Sequence, residues 1–514
     1  MIHFNNFIKN NKNKVKYFEG ADNFLIVDRE RLYQSIYLSI FALALNKKKN
    51  INPLLLVNNH QDKNISKIYK SFGISKCIKI FDIYNIFFDF VILCKTFLYS
   101  CLNIIKIKAY GFEWFVKELK IENIKIGDLI FDTYIRRDHS YINPKINIKF
   151  IKILITSIFR TLKMKKIVLK NNIKYVINQS NTYSYNSGIS TRVGVALNKV
   201  VYFQEENHLT IYSEKAIKRG KFVIRNEYFN KIKDKINIIK AKSFFKNRMN
   251  GKSSKVHLNT FDGTGVKSSD ILYSNRFKKI YTKKKLIETL KCQKEYKKII
   301  LLGAHAYSDA PHSMGTDFVF MDYYSKLKET LEFIVKNDNE NLWIIKPHPM
   351  EKYYDETKIN ENLFKKFKKH NIKICPKDIN TKNILKLVDC VVTGRGTISM
   401  EAACYGLNAI TAGSNPYSGN DLFTECTNKK NYFNKLSNLE NLKKLKQTKI
   451  NLAIKKIFFI ENFQPKFSYS DVIPARKKYH APKSFNKFFL ELNMNLKSKN
   501  FEEDVFFKDL SLFL

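Results

Sequence analysis

Short apolar runs alternate along the chain with stretches in which apolar residues recur at helical spacing. Near the N-terminus, residues 24–27 are typical of a buried strand, and residues 54–57 predict a second one. Between them, Leu32, Ile36, Ile40 and Leu43 recur at the spacing of a helix. A strand, a helix and a strand in this order favour a parallel sheet covered by helices.

Further runs extend this first unit. Residues 129–131, 175–177 and 200–203 predict strands, and residues 189–197 predict a helix. Together these elements predict an N-terminal Rossmann-like domain over residues 1–210, a size within the range of one large domain.

The same pattern restarts near residue 297. Strands are predicted at 298–302, 342–345, 390–392 and 409–412, and helices at 322–336, 382–388 and 398–405. We therefore predict an α/β fold of two Rossmann-like domains facing a cleft, the second over residues 297–460. Residues 211–296 are basic and weakly periodic, which indicates a connecting or inserted segment. The aromatic and basic residues 461–514 are expected to form a tail that packs back on the first domain.

The most apolar stretch covers residues 86–107. It is interrupted by Asp89, Lys95, Asn103 and Lys106, which makes it too polar for a membrane span. A core helix is the favoured interpretation, an inserted helix the disfavoured one, and interfacial membrane contact lies between them.

Composition adds a strong positive charge. The chain has 91 Lys and Arg against 46 Asp and Glu, for a net charge of +45. The basic residues are spread over the chain beside abundant Asn, Ile, Phe and Tyr, so a general compositional bias competes with attraction to an anionic membrane surface. They do not cluster with an aromatic platform motif, and we expect no nucleic-acid partner.

The cysteines and the N-terminus bear on location. The eight cysteines form no CxxC pair and no zinc spacing with histidine, which favours a reducing compartment. The N-terminal residues lack the apolar core of a signal peptide. We expect a cytoplasmic protein that is peripheral, at most, to the inner face of the cytoplasmic membrane.

In an open α/β sheet, ligands bind beyond the carboxyl ends of the strands, so the loops of the second unit are the candidates for chemistry. The first loop, GAHAYSDAPHSMGTD, contains His305, Asp309 and His312. A metal site is one interpretation. Because these residues lack a fixed helical spacing, contact with a phosphate or a sugar hydroxyl is favoured.

The second loop ends the run LWIIKPHPM. Two prolines flank His348, and each restricts the backbone, so the imidazole is held at low entropic cost. Lys346 adds a positive charge for an anion. A structural histidine capping a turn is the alternative, and the position at a sheet end favours a functional role.

The third loop is TGRGTISMEAACYG. Gly394 and Gly396 would let backbone N–H groups approach a ligand, Thr397 and Ser399 add hydroxyls, and Glu401 could accept from a ribose diol. A tight turn that satisfies a helix terminus is the alternative. The loop is neither a P-loop nor a GxGxxG fingerprint.

The combination of these loops resembles bacterial capsule and surface polysaccharide biosynthesis proteins, which are similar to GT-B glycosyltransferases. The resemblance rests on HAYSDAP, KPHP and the later Gly-Thr-x-x-x-Glu-Ala-x-x-x-Gly stretch. It extends into the first unit through KIGDLIFDTYIRR and NQSNTYSYNSGISTR. It leaves residues 211–296 and the tail unaccounted for.

The resemblance implies a glycosyltransferase with a nucleotide-sugar donor, often CMP- or CDP-linked, and a glycan or lipid-linked acceptor. His348 would contact and protonate the departing phosphate, helped by preorganised positive charge without a metal or a cofactor. Thr397 and Ser399 would hold phosphate or cytidine groups, and Glu401 the ribose. His305, Asp309 and Lys346 would also lie on the donor side.

The resemblance further implies a general base from the N-terminal domain. Asp132 is the candidate, because it directly follows the strand predicted at 129–131, with Asp138 and Glu205 behind it. Two other functions remain open: a CDP-glycerol or CDP-ribitol type polyol-phosphate transferase, and a non-catalytic glycan assembly or export factor.

Overall fold

Two six-stranded sheets organise the molecule. The computed structural model describes residues 2–12, 20–28, 32–57, 63–80, 86–139, 141–179, 182–205, 208–219, 222–250, 280–292, 294–312, 315–348, 351–376, 378–462, 469 and 482–514.

The first sheet belongs to the N-terminal domain. Its strands are β1 (Asn23–Val27), β2 (Asn52–Val57), β3 (Cys77–Lys79), β6 (Ile173–Asn178), β7 (Val200–Glu205) and β8 (His208–Tyr212), and a separate hairpin joins β4 (Lys120–Ile121) to β5 (Ile124–Lys125). The strand order is β3-β2-β1-β6-β7-β8. All neighbours are parallel except β7 and β8. The order reverses beside β1, which makes that strand end a topological switch point.

Helices cover this sheet. They are α1 (Ile2–Lys12), α2 (Leu32–Lys49), α3 (Lys63–Ser71), α4 (Ile86–Glu118), α5 (Gly127–Asp138), α6 (Ile148–Lys170) and α7 (Asn186–Ala196). The following segment, predicted as a connection, forms α8 (Glu214–Arg219), α9 (Phe222–Ile232), α10 (Ile238–Met249) and α11 (Lys283–Thr289).

The second sheet is parallel throughout. Its strands are β9 (Ile299–Gly303), β10 (Leu342–Lys346), β11 (Ile372–Ile374), β12 (Cys390–Thr393), β13 (Asn408–Thr411) and β14 (Thr424–Glu425). The order is β11-β10-β9-β12-β13-β14, so a switch point lies between β9 and β12. The helices are α12 (Tyr323–Asn337), α13 (Thr357–Lys366), α14 (Thr381–Leu385), α15 (Ile398–Cys404), α16 (Lys429–Ser437) and α17 (Gln447–Asn462).

The last helices, α18 (Pro482–Ser498) and α19 (Val505–Phe513), pack on the N-terminal domain. The ring centroids of Phe489 in α18 and Phe4 in α1 are 5.0 Å apart, and the Asn493 amide donates to the His3 carbonyl at 2.6 Å. The preceding helix, α17, packs against α10 and α15. The polypeptide thus crosses from the second sheet back to the first.

The prediction of two Rossmann-like domains is confirmed, and one predicted strand is wrong. Residues 129–131 lie inside α5, where Leu129, Ile130 and Phe131 are all fully buried. A short apolar run that is buried on every side does not distinguish a strand from a core helix. Asp132 is therefore a helical residue and does not follow a strand.

The expectation of a core helix at residues 86–107 is wrong for one of its faces. Within α4, Asp89–Glu118 is long and apolar enough to cross a membrane by length and composition, yet only 28% of its most apolar window is buried. Phe97 and Leu98 are among its exposed residues, at 69% and 57%. Most of this apolar surface therefore faces away from the protein.

Candidate functional site

Three loops of the second sheet start from one row of residues. Gly303 of β9 pairs with Lys346 of β10 on one side and with Thr393 of β12 on the other. Because the strands are parallel, the loops that follow leave the sheet side by side. These loops contain His305, His348 and the Gly394–Thr397 turn, so the sequence candidates do meet at the switch point.

His305 is held on several sides. Its ring stacks on Tyr323, with centroids 4.2 Å apart and planes at 8°, and its Nε2 accepts the Arg395 N–H at 3.0 Å. An Nε2 that accepts a hydrogen bond leaves the proton of a neutral imidazole on Nδ1. Burial, together with His348 and the cations Lys326 and Arg395, lowers the pKa of His305 well below its usual value.

His348 lies next to His305. The two rings are nearly parallel, at 16°, with centroids 6.4 Å apart. His348 is half-buried, and burial lowers its pKa to about 4. Both rings are therefore neutral at pH 7 in the ligand-free protein. Lys346, also half-buried, contributes its charge on the β11 side, where it acts on Cys375.

The two glycines of the third loop make room for His305. A Cβ on Gly394 would lie 3.1 Å from the His305 Cδ2, and one on Gly396 would lie 3.2 Å from its Nε2. The close approach predicted for a ligand is thus occupied by a side chain of the protein. A larger residue at either position would require the ring to shift by a few tenths of an ångström.

Arg395, between those glycines, was not singled out from the sequence. It is fully buried, forms an ion pair with Asp317, donates to the Gly315 carbonyl at 2.8 Å and lies 5.1 Å from the Phe318 ring centroid. It therefore ties the loop after β12 to the loop after β9. The sequence feature that could have singled it out is a large cationic residue between two glycines.

Two of the predicted donor contacts are engaged inside the protein. Ser399 is fully buried, donates to the Gly396 carbonyl at 2.9 Å and accepts from the Asn415 amide at 3.0 Å. Glu401 is 4% exposed, and its Oε1 lies 3.4 Å from a guanidinium nitrogen of Arg248. These partners explain both residues without a ligand. Thr397 is half-buried, and its side chain forms a hydrogen bond with Tyr417.

Asp132, the predicted general base, is enclosed by protein on all sides. It is completely buried, its Oδ2 accepts the His312 N–H at 3.2 Å, and its Oδ1 has no hydrogen-bond partner in the described part of the chain. Burial and the charge of Asp128 raise its pKa well above the usual value. Asp132 instead anchors the loop after β9 to α5 of the other domain.

The two reserve candidates have other surroundings. Asp138 accepts from the Asn147 amide at 2.9 Å and pairs with Lys149. Glu205 is the last residue of β7 and pairs with His208 of β8.

Asp309, predicted on the donor side, lies in the loop after β9 and faces the N-terminal domain. Its side chain reaches solvent although protein surrounds it, and this crowding raises its pKa while Arg136 of α5 opposes the shift. The Arg136 guanidinium lies 4.6 Å from the Tyr354 ring centroid and 3.4 Å from the Ser308 Oγ. Tyr183 of the N-terminal domain is also close enough to feel both charges. Asp309 thus lies where the two domains meet.

Two buried ionisable groups support the same loops. Lys326 of α12 is 2% exposed, its Nζ has no hydrogen-bond partner among the described residues, and burial lowers its pKa to about 7. Glu356 accepts the Ser308 N–H at 3.0 Å, and burial raises its pKa to about 7. Strongly shifted groups of this kind concentrate at functional sites. The sequence signal was a lysine among the buried positions of an amphipathic helix.

The metal interpretation of the first loop gains no support. His305 lies beside His348, whereas His312 turns to the other domain and donates its Nε2 proton to the Met321 carbonyl at 2.9 Å. Within the described ranges, no three His, Cys, Asp or Glu side chains could hold one metal ion.

Two Rossmann-like domains with loops meeting between them define a GT-B type fold. Residues 252–463 match the family model described as capsule polysaccharide biosynthesis protein, so the predicted family resemblance is confirmed over the second domain. No curated protein sequence matches the chain.

Several solved structures are similar to the chain. UDP-GlcNAc 2-epimerase from Neisseria meningitidis, bound to UDP-GlcNAc, is 11% identical with a TM-score of 0.25, over 86% of this chain and 99% of that one. The KpsC beta Kdo 2,4 transferase of Thermosulfurimonas dismutans is 12% identical with a TM-score of 0.28, over 55% and 79%. Its beta Kdo 2,7 transferase is 15% identical with a TM-score of 0.30, over 57% and 80%. At these values the likenesses carry no further argument.

Proposed function

We propose that the protein is a glycosyltransferase of capsule polysaccharide biosynthesis that transfers a sugar from a nucleotide-activated donor to a growing glycan. The observation that carries the proposal is the pair of neutral imidazoles, His305 and His348, at the switch point of the second sheet. The buried Lys326 near His305 has no hydrogen-bond partner at its Nζ among the described residues, and burial lowers its pKa to about 7, so a bound anion would favour its charged form. Such a site suits an anion that the protein itself does not supply.

On the donor side, His348 is the residue that meets the leaving phosphate. A bound phosphate would raise the pKa of this neutral imidazole, so the ring would take up a proton from solvent. The imidazolium would then pass that proton to the phosphate oxygen of the departing nucleotide as the bond to the sugar breaks. His305 acts as a positioning residue, because its Nε2 is already occupied by the Arg395 N–H. Lys346 and Thr397 are the further donor contacts in this proposal.

On the acceptor side, Asp309 is the general base. Burial of the carboxylate raises its pKa, which strengthens it as a base, while the charge of Arg136 opposes the shift. The role that the sequence argument gave to Asp132 thus passes to a carboxylate that reaches solvent.

The donor nucleotide and the compartment are part of the proposal. The family resemblance favours a CMP- or CDP-linked donor. All eight cysteines are free, which supports a reducing cytoplasm, where nucleotide-activated sugars would be at hand. The polyol-phosphate transferase alternative differs in the group transferred, and the non-catalytic alternative would keep the site without turnover.

A donor-turnover assay tests the proposal. Purified protein is incubated with CMP-sugars or CDP-glycerol, and nucleotide release is measured for the wild type, His348→Ala and His370→Ala, where His370 is an exposed control. We expect release from a nucleotide sugar that falls at least about 100-fold in His348→Ala and is unchanged in His370→Ala. Release from CDP-glycerol alone would favour the alternative enzyme. Turnover unaffected by His348→Ala would contradict the proposal.

A further inference from the structure

Helix α4 turns its polar side towards the protein and its apolar side outwards. The side that packs on the domain contains Asp89, Thr96, Ser100 and Asn103, none more than 7% exposed. The opposite side exposes large apolar side chains: Phe90 64%, Val91 59%, Leu93 50%, Phe97 69%, Leu98 57%, Leu102 45%, Ile105 63% and Tyr110 67%. An amphipathic helix on the surface of a water-soluble domain shows the opposite arrangement.

The buried polar side is a satisfied packing surface. The Thr96 hydroxyl donates to the Ile92 carbonyl, and the Asn103 amide donates to the Tyr99 carbonyl, both at 2.7 Å. Asp89 pairs with Lys163 of α6 at 2.6 Å. The Thr96 and Asn103 bonds lie within α4, and the Asp89–Lys163 pair holds this polar side against α6, so the apolar side faces outwards.

The outward side, which we name the α4 face, consists of Phe90, Val91, Leu93, Phe97, Leu98, Leu102 and Ile105. We propose that the α4 face docks the protein on an anionic lipid bilayer, with the helix lying parallel to the surface. The 16 positions from Phe90 to Ile105 extend over about 24 Å at 1.5 Å per residue. A contiguous apolar surface of this length on a monomer marks an interaction site.

Charge identifies the partner as a membrane with anionic lipids. Residues 90–110 contain three lysines, Lys95, Lys106 and Lys108, and no Asp or Glu. All three lysines are exposed, although Lys95 also pairs with Glu122 at 3.1 Å. Apolar residues interspersed with lysines are the pattern of a helix that binds the headgroup region. If the α4 faces of two copies packed on each other, the lysines of both copies would come close together and repel each other.

Aromatic residues at the end of the face agree with this placement. Tyr110 is 67% exposed and lies 5.7 Å from Trp114, whose ring is 5.8 Å from the Lys106 Nζ. Tyr and Trp are enriched at the level of lipid headgroups. At Gly111 the backbone takes φ 79°, so the helix bends where the aromatic end begins. The inner side remains packed against α5 and α6, so α4 lies on the bilayer and does not cross it.

Vesicle flotation tests the proposal. Wild type, Phe97→Ser/Leu98→Ser and the control Ile239→Ser are compared with vesicles of phosphatidylglycerol and phosphatidylcholine, and with phosphatidylcholine alone. Ile239 is 76% exposed on α10, and no substitution changes the charge, so non-specific attraction from the net charge of +45 is equal in all three. We expect binding of the double variant to anionic vesicles to fall at least about tenfold, and the control to bind as the wild type.

Other results overturn the proposal. Equal flotation of the wild type and the double variant would show that the α4 face contributes nothing. A wild type that is dimeric without vesicles, with a monomeric double variant, would assign the face to a second copy. Donor turnover measured without vesicles should be unchanged in the double variant, so failure of this inference is distinguishable from failure of the proposed reaction.

Discussion

Replacing Arg395 should uncouple the two loops that hold the imidazoles. Arg395→Met removes the buried ion pair with Asp317, the hydrogen bond to the Gly315 carbonyl and the contact with the Phe318 ring, while much of the aliphatic packing is retained. Removing one partner of a buried pair costs about 3–5 kcal/mol. Asp317 is 25% exposed and keeps the Ser414 N–H and hydroxyl as donors, so we expect a loss near the lower end, about 3 kcal/mol.

Urea unfolding followed by tryptophan fluorescence measures this loss. The chain has two tryptophans, and Trp343 is fully buried in β10, next to the strand that precedes the affected loop. In a Trp114→Phe background the signal therefore reports on the second domain alone. The midpoint should fall with little change in slope, because the surface exposed on unfolding is nearly the same.

A double-mutant cycle separates the ion pair from packing. Arg395→Met and Asp317→Asn are combined, with Arg395→Lys as a variant that keeps the charge but loses the planar fork. We expect a coupling energy of at least about 1.5 kcal/mol and an intermediate stability for Arg395→Lys. Additive effects, or an Arg395→Met protein within about 0.5 kcal/mol of the wild type, would refute the reasoning.

Three further predictions concern buried charges. Burial lowers the pKa of Lys326 to about 7, so between pH 7 and 10 the unfolded chain binds more protons than the folded one, and the free energy of unfolding rises with pH. Unfolding measured at a series of pH values should show that Lys326→Met is more stable than the wild type at pH 7 and that its stability depends less on pH. A pH dependence equal to that of the wild type would contradict this. Lys456→Met should instead destabilise, because Lys456, whose pKa is also about 7, donates to the Ser418 carbonyl at 2.8 Å and to Asn226 at 2.6 Å. Asp309→Asn should lower the transfer rate about 100-fold while Asp132→Asn leaves it within about threefold, and the reverse order in a steady-state assay would restore Asp132 as the base.

The central strands could be predicted, because the buried runs of β1, β9, β10 and β12 are short, apolar and separated by amphipathic helices. The order of the strands and the short strands β3, β8, β11 and β14 came only from the structure. The grouping of His305 and His348 also followed, since parallel strands bring their ends to one edge. The position of Asp132 did not, because α5 is buried all round and gives no helical period. The distances between side chains and their burial depend on tertiary packing. Only the folded structure shows that Gly394 makes room for the His305 imidazole.

The same limit applies to α4 and α15. A sequence of Phe, Leu and Ile with a few polar residues does not show which side faces the protein, and in α4 the polar side does. In α15, Ser399 and Glu401 have the residue types of a nucleotide site but find partners in Asn415 and Arg248. Only the contact geometry separates a ligand-binding side chain from one that is already satisfied.

A nucleotide thermal-shift experiment tests the central claim most directly. Cytidine, uridine and guanosine mono- and diphosphates are added to the wild type, His348→Ala and His370→Ala, and unfolding temperatures are compared. A ligand at 100 times its dissociation constant stabilises by about 2.7 kcal/mol, which is readily measured. We expect a cytidine nucleotide to stabilise the wild type and His370→Ala but not His348→Ala. The absence of stabilisation by any nucleotide, or an equal shift in His348→Ala, would contradict a phosphate-binding site at His348.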